Sequence, residues 1–183
     1  FEYELAWGKK SYYKMLEIMR EYKNNKLTTF VAPSKYYANE YQKLTGCKIE
    51  FIPHAIDIAR LYTENKKENI IKKYNLSEEK IRIIVPSRLE PMQKQPMLLI
   101  DACILLEEDI KRKIEIVFTG LDKQYIKFVD KIKEKAKNHN IDIKIIRFDE
   151  MSEVYKIADI TVLPSKSESF GYSALESLSL GIP

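Results

Sequence analysis

Pro164-Ser-Lys-Ser-Glu-Ser-Phe-Gly-Tyr-Ser-Ala-Leu-Glu-Ser-Leu-Ser-Leu-Gly-Ile-Pro183 is the stretch whose reading decides the fold. The apolar run before it, Ala158-Asp-Ile-Thr-Val-Leu163, reads as a buried strand. Pro164 stops that strand, and Ser165, Ser167 and Ser169 make a loop rich in hydroxyls. Gly171 then opens an amphipathic helix, with Leu175 and Leu178 on one face and Gly181 as its stop signal. Strand, polar loop with a glycine, then helix: this order aims backbone N–H groups and the positive end of a helix dipole at whatever lies above the sheet. An anion, most often a phosphate, fits there.

Two carboxylates frame the stretch. Glu168 lies in the loop and Glu176 on the helix, with seven residues between them. Acceptors on both sides of a phosphate suit a ligand with hydroxyls on both sides, as in a sugar–diphosphate–ribose. An ordinary helix with two solvated glutamates has the same spacing. Phe170-Gly171 between the carboxylates and Gly181-Ile-Pro183 after them set this stretch apart.

Ser165-x-x-Glu168-Ser-Phe-Gly171-x-x-x-Leu-Glu176, followed by Gly181-Ile-Pro183, resembles the donor-site signature of retaining glycosyltransferases of family 4, which have the GT-B fold. The resemblance implies an α/β chain: a GT-B type, Rossmann-like parallel sheet flanked by helices. Residues 56–183 would be the donor-binding C-terminal domain, incomplete. Residues 1–55 would be the end of the N-terminal, acceptor-side domain and the linker.

The remaining sequence agrees with an α/β reading. A helix is expected from Trp7 to Lys23, with Tyr12, Met15, Leu16, Met19 and Tyr22 at helical spacing and Lys9, Lys10, Lys14, Glu17 and Glu21 on the polar side. Such a basic, aromatic face could also meet a membrane surface. Leu27 to Ala32 reads as a strand, Ser34 as the cap of a helix from Lys35 to about Leu44 closed by Gly46, and Ile49 to Ile52 as another strand. This alternation predicts a parallel sheet. Where the family has Asn-Gly in its linker this chain has His54-Ala55, while Asp57 keeps its place. Tyr62 to Asn75 is polar and reads as an exposed loop plus a short helix.

Ile81 to Val85 is expected as a buried strand, Pro86 to Pro96 as a loop, and Met97 to Leu106 as an apolar helix carrying Leu98, Leu99, Ala102 and Leu105. Arg88 leaves the strand at its carboxyl end, where open α/β sheets bind ligands, and Lys94 follows six residues later. Arg88 can grip a diphosphate at two points and Lys94 can add a point charge. Alone, either would be an ordinary solvated cation; together they match the family's Arg-Leu-x4-Lys element. The usual glycine before the arginine is Ser87 here, and the one after the lysine is Gln95. Ile114 to Thr119 is the next strand, ending at Gly120, and Asp122 stands where the family often has a second glycine. A lysine-rich helix from Tyr125 to Asn138 shows an apolar stripe of Ile126, Val129, Ile132 and Ala136. Ile143 to Phe148 is a further strand, and Ser152 to Ala158 a brief helix.

Bulk properties narrow the classes. The chain has 183 residues, 45% hydrophobic and 32% charged, which is the balance of a globular protein. A net charge of +4 with interspersed signs makes no demand for nucleic acid, and the lysine-rich helix lacks the interleaved aromatics of a nucleic-acid surface. Cys47 and Cys103 show no pairing pattern and read as buried free thiols, hence a reducing compartment. No apolar run reaches membrane-spanning length. The sequence starts at Phe1 and stops where an α/β protein would begin another strand, so a fragment is expected at both ends.

By resemblance, the chain is a hexosyltransferase that moves a sugar from a nucleotide-diphosphate sugar, such as a UDP- or GDP-sugar, to a saccharide or lipid-linked acceptor in polysaccharide or glycoconjugate synthesis. Arg88 and Lys94 would neutralise the leaving diphosphate, and Glu168 would contact sugar hydroxyls. Glu176 would hold the ribose, and main-chain groups of Phe170, Gly171, Tyr172 and Ser173, with Gly120, would line the donor. No metal or other cofactor is expected, because cations and a helix end do the charge work; His54 and His139 read as structural. The location would be cytoplasmic, at most peripheral on the inner face of a membrane. Two other readings remain: a non-catalytic GT-B-like accessory subunit, which should lack some of Arg88, Lys94, Glu168 and Glu176, and another GT-B enzyme such as an epimerase or phosphorylase.

Overall fold

The computed structural model describes residues 8–121, 123–168 and 170–183. Trp7 at the expected helix start, Ser169 of the hydroxyl-rich loop and Asp122 in the glycine position lie outside the described residues, as does the Lys9 side chain. Contacts divide the chain into two compact units: Phe1–Ala55 with Ser167–Gly171, and Ile56–Lys166 with Tyr172–Pro183.

The first unit contains α1 (Lys9–Glu21), β1 (Phe30–Ala32), α2 (Lys35–Thr45) and β2 (Ile49–Phe51). β1 and β2 pair in parallel, with Phe30 opposite Ile49 and Ala32 opposite Phe51. The helix joining them starts and stops on the residues expected: Ser34 Oγ accepts the Tyr37 N–H at 3.1 Å, and Gly46 takes a left-handed φ of 69°. Met19, Ala32, Ala38, Cys47 and Ile49 form the core. Two expectations change here. Tyr22 is exposed, so the buried stripe of α1 is Tyr12, Leu16 and Met19. β1 starts at Phe30 rather than Leu27, because Asn25 folds the chain into a turn: its side chain accepts the Leu27 N–H and its carbonyl the Thr28 N–H.

The second unit holds a four-stranded parallel sheet in the order Ile143–Ile145, Ile114–Gly120, Ile81–Arg88, Ile160–Thr161. Its elements are α3 (Lys67–Lys73), β3 (Ile81–Arg88), α4 (Pro96–Ile104), α5 (Glu108–Lys113), β4 (Ile114–Gly120), α6 (Ile126–Asn138), β5 (Ile143–Ile145), α7 (Met151–Ile157), β6 (Ile160–Thr161) and α8 (Tyr172–Ser179). Alternate residues of the central strands serve two cores. Val85, Ile116 and Phe118 pack with Leu99 and Ile100 of α4 and Val129, Ile132 and Ala136 of α6. Ile84 and Val117 pack with Ile70 and Ile71 of α3 and Val154 and Ile157 of α7. A sheet covered on both faces explains why the central strands are apolar at successive positions, Ile83 to Val85 and Ile116 to Phe118.

Packing revises several expected elements. The polar Tyr62–Asn75 segment holds the expected short helix, α3, and that helix buries Ile70 and Ile71. In α4 the buried residues are Pro96, Leu99, Ile100 and Cys103; Leu98, and Leu105 just after the helix, face out, as Ile126 does at the start of α6. β5 stops at Ile145, three residues short of Phe148. β6 is only two residues long and half-exposed, where a buried strand over residues 158–163 was expected. α5 had no counterpart in the sequence reading. Both cysteines are free and buried, as anticipated. The amino ends of β3 and β4 carry a cross-strand ion pair: Arg82 stands opposite Glu115, both almost fully buried, with Nε 3.7 Å from Oε2. Burial pushes the Glu115 carboxyl up, although Ser77 donates its N–H to it and Arg82 stands beside it.

Candidate donor-binding site

In a parallel sheet all the carboxyl ends lie along one edge. In the second unit they are Arg88, Gly120, Ile145 and Thr161. β3 does not stop at Val85. It continues through Pro86 and Ser87 to Arg88, with a register shift between Val85 and Arg88 that restores pairing opposite Gly120. Pro86 has no N–H to donate, so it falls where the ladder is already irregular. Arg88 is exposed at that strand end. Gly120 is required by its neighbours: a Cβ there would meet the Ser87 carbonyl oxygen at 2.5 Å and Arg88 Cα at 2.7 Å.

The loop from Arg88 to Lys94 is shaped by Glu90, a residue the sequence reading passed over. Its carboxylate accepts the N–H groups of Met92 (2.8 Å), Gln93 (2.6 Å) and Lys94 (3.2 Å). Burial alone would raise Glu90, but these three donors and the nearby Arg88 outweigh it and hold the carboxyl below its ordinary range. The Gln93 carbonyl accepts the Lys166 N–H at 2.7 Å, which ties this loop to the segment after β6. Gln95, in the family's glycine position, adopts φ 45° and ψ 48°, the left-handed conformation that glycine takes without cost.

α8 is held at both ends. Ser173 Oγ donates to the Pro86 carbonyl at 2.9 Å, which places the first turn of the helix against the end of β3. Ser177 is buried and shares a 2.6 Å hydroxyl–hydroxyl bond with Thr161 of β6. Gly181 ends the helix at φ 73°, and the Ile182 N–H returns to the Ser177 carbonyl. The expected apolar face is corrected: Leu178 is exposed and Ser177 points inward. Glu176, half-buried, accepts the Tyr155 hydroxyl at Oε2, 2.5 Å away. Burial first, and then Glu176, push the Tyr155 hydroxyl well above its usual range. Ser165 Oγ is buried with no hydrogen-bond partner.

Glu168, Phe170 and Gly171 belong to the first unit. The Glu168 carbonyl accepts the Tyr37 hydroxyl at 3.0 Å. The Phe170 ring stands edge-on to His54, 5.0 Å between centroids. With Ser34, Tyr36, Tyr37 and Phe51, Glu168 and Phe170 line a cavity of about 380 Å³. Gly171 has φ 80°.

So Arg88, Lys94, Gly120, Tyr172, Ser173 and Glu176 lie in the second unit, and Glu168, Phe170 and Gly171 in the first. Sequence reasoning missed Glu90, Tyr155 and Tyr37. Glu90 leaves a local trace, a carboxylate two to four residues before the amides it binds. The other two have none, because their partners are distant in sequence. Among the described residues, no three His, Cys, Asp or Glu side chains are grouped as a metal ion would need. No helix among them is long and apolar enough to cross a membrane.

The parallel sheet with helices on both faces and loops at its carboxyl edge is that of the GT-B glycosyltransferases. The chain superposes on WaaG, a glycosyltransferase involved in lipopolysaccharide biosynthesis, with a TM-score of 0.77 at 21% identity, over 100% of this chain and 50% of that one. It superposes on Anabaena Alr3699/HepE in complex with UDP and glucose with a TM-score of 0.75 at 17% identity, over 93% of this chain and 47% of that one. Residues 66–183 match the family Glycosyl transferases group 1, and the chain belongs to that family. A curated relative, the D-inositol 3-phosphate glycosyltransferase of Actinosynnema mirum, is 24% identical over 159 residues, 79% of this chain and 38% of the relative. The mannosylfructose-phosphate synthase of Agrobacterium fabrum is 22% identical over 74% of this chain and 31% of its own length. The chain thus spans well under half the length of these relatives.

Proposed function

We propose that the chain carries the donor-nucleotide part of a retaining glycosyltransferase of family 4, which transfers a sugar from a nucleotide-diphosphate sugar to a saccharide or lipid-linked acceptor. The observation that carries this reading is the Ser173–Pro86 bond, which sets the start of α8 beside the strand end that bears Arg88. A helix N-terminus and a guanidinium side by side suit a diphosphate. Arg88 and Lys94 neutralise the leaving diphosphate, and the main chain of Phe170 to Ser173, with Gly120, lines the donor. Glu168 contacts the transferred sugar and Glu176 the ribose. Charge stabilisation by these groups leaves no step that calls for a metal. The UDP complex of HepE supports a nucleotide-sugar donor. The lipopolysaccharide role of WaaG supports a place in cell-surface glycan synthesis; the location we propose is cytoplasmic, with at most peripheral membrane contact.

The test is to measure product-nucleotide affinity and turnover for Glu168→Gln and Glu176→Gln in the intact protein. A contact that tightens only as the sugar leaves acts on the transition state, so Glu168→Gln should lower turnover more than UDP or GDP affinity. Glu176→Gln should weaken the nucleotide whether or not a sugar is attached. The opposite pattern overturns the roles. No effect from either change replaces the transferase reading with a non-catalytic, accessory one. The anomeric configuration of the first-formed product decides between retention and inversion.

A further inference from the structure

A glutamate side chain has three rotatable bonds, and one that must present an oxygen to a ligand needs something to hold it. Glu176 sits on a helix pinned on both sides of it, by Ser173 on Pro86 and by Ser177 on Thr161. Its backbone is therefore placed. Its carboxylate is placed by one further contact, the Tyr155 hydroxyl at 2.5 Å from Oε2. Tyr155 is itself 2% exposed in the last turn of α7, so its ring cannot swing away without opening the core. A hydroxyl–carboxylate bond of this length belongs to the strong, charge-assisted class. It engages one oxygen and leaves the other to accept from a ligand.

We propose that Tyr155 is a positioning residue for Glu176, holding the carboxylate so that its second oxygen meets a vicinal diol, and that Tyr155 thereby sets the preference for ribonucleotides over nucleotides lacking those hydroxyls. The proposal rests on the reading of Glu176 as the ribose contact. The ring acts on the diol through Glu176; its other partner, Ser173 at the start of α8, bears alike on ligands with and without the diol, so the ratio between them reports the Glu176 route. Tyr155→Phe removes one oxygen from a buried ring and keeps its packing.

The experiment is calorimetric titration of UDP and GDP, and of their 2′,3′-dideoxy counterparts, into wild type, Tyr155→Phe, Glu176→Gln and the double variant of the intact protein. Tyr155→Phe should weaken the preferred ribonucleotide roughly 5- to 15-fold, the worth of one such bond. Its dideoxy affinity should fall less, so the ribo-to-dideoxy ratio contracts. The double variant should match Glu176→Gln alone in that ratio. Because the ratio is taken within one sample, partial unfolding does not move it. A Tyr155→Phe variant that keeps the wild-type ratio, or weakens both ligands equally, overturns the role of Tyr155 while the Glu176 reading stands if Glu176→Gln still contracts the ratio. If Glu176→Gln keeps the ratio, the Glu176 reading falls and this inference with it. Absence of UDP and GDP binding by wild type overturns both.

Discussion

Gly120 lies so close to Ser87 that a Cβ built on it would stand 2.5 Å from the Ser87 carbonyl oxygen. The neighbour is backbone, which cannot rotate aside as a side chain could. The contact also fixes the strand end at which Arg88 emerges, since Arg88 and Gly120 are register partners. Gly120→Ala should therefore destabilise the second unit by about 1–3 kcal/mol, the usual cost of overpacking. It should also weaken nucleoside diphosphate binding by shifting Arg88. Denaturant melts and a UDP or GDP titration check it; an unchanged midpoint means that the strand end yields freely.

Gln95 occupies a left-handed conformation at φ 45°. For a residue with a Cβ this costs roughly 1–2 kcal/mol, while the greater chain freedom of glycine offsets about 0.4–1 kcal/mol of the relief. Gln95→Gly should leave thermal stability equal or slightly higher. Gln95→Val, branched at Cβ, should lower it clearly. Equal melting temperatures for the two variants would remove the backbone argument.

Arg88→Ala should weaken diphosphate binding more than Lys94→Arg does. A planar two-point contact is lost in the first and a charge is kept in the second. The expected loss for Arg88→Ala is ~1.5–3 kcal/mol, measured by titration of UDP or GDP. Equal affinities for wild type and Arg88→Ala would take Arg88 out of the site.

Glu153 is buried between α7 and α3, where Tyr74 donates its hydroxyl at 2.6 Å, Lys73 its ammonium at 3.0 Å and Asn65 its amide at 3.1 Å. Burial would raise the carboxyl; Tyr74, Lys73 and Asn65 outweigh it, and the group lies below the ordinary carboxylate range. A carboxyl depressed in the folded state contributes stability that is present above its unfolded pKa, near 4.3, and is lost as pH falls through the lower folded value. Tyr74→Phe keeps the ring tilted against Phe148 and removes the donor to Glu153 together with the acceptor of the Asp149 N–H. It should cost about 1–2 kcal/mol at pH 7. The gap to wild type should narrow as pH drops below about 4. A gap that is constant with pH would assign the loss to packing instead.

Much of this chain was legible because its signals are local. Ser34 and Gly46 bound a helix by chemistry that acts within four residues, and Gly181 does the same for α8. The successive apolar residues Ile83 to Val85 of β3 and Ile116 to Phe118 of β4 announce a sheet covered on both faces. The spacing of Glu168, Gly171, Glu176 and Gly181 marked the family, and the two glycines also answer the backbone they occupy, at φ 80° and 73°.

What the tertiary structure alone decided depends on partners far along the chain. β3 extends past Pro86 only because Gly120 lets the two backbones approach. The backbone of β6 is held from two sides by residues far from it in sequence: Val162 donates its N–H to the Ile84 carbonyl and Thr161 donates its N–H to the Pro183 carbonyl. Ser177 turns inward and Leu178 outward because Thr161 offers a hydroxyl where the helix docks. Tyr155 and Glu176 are 21 residues apart on different helices, and no spacing or periodicity links them. Local geometry can place a carboxylate on a helix, but which hydroxyl holds it is settled only when the helices pack.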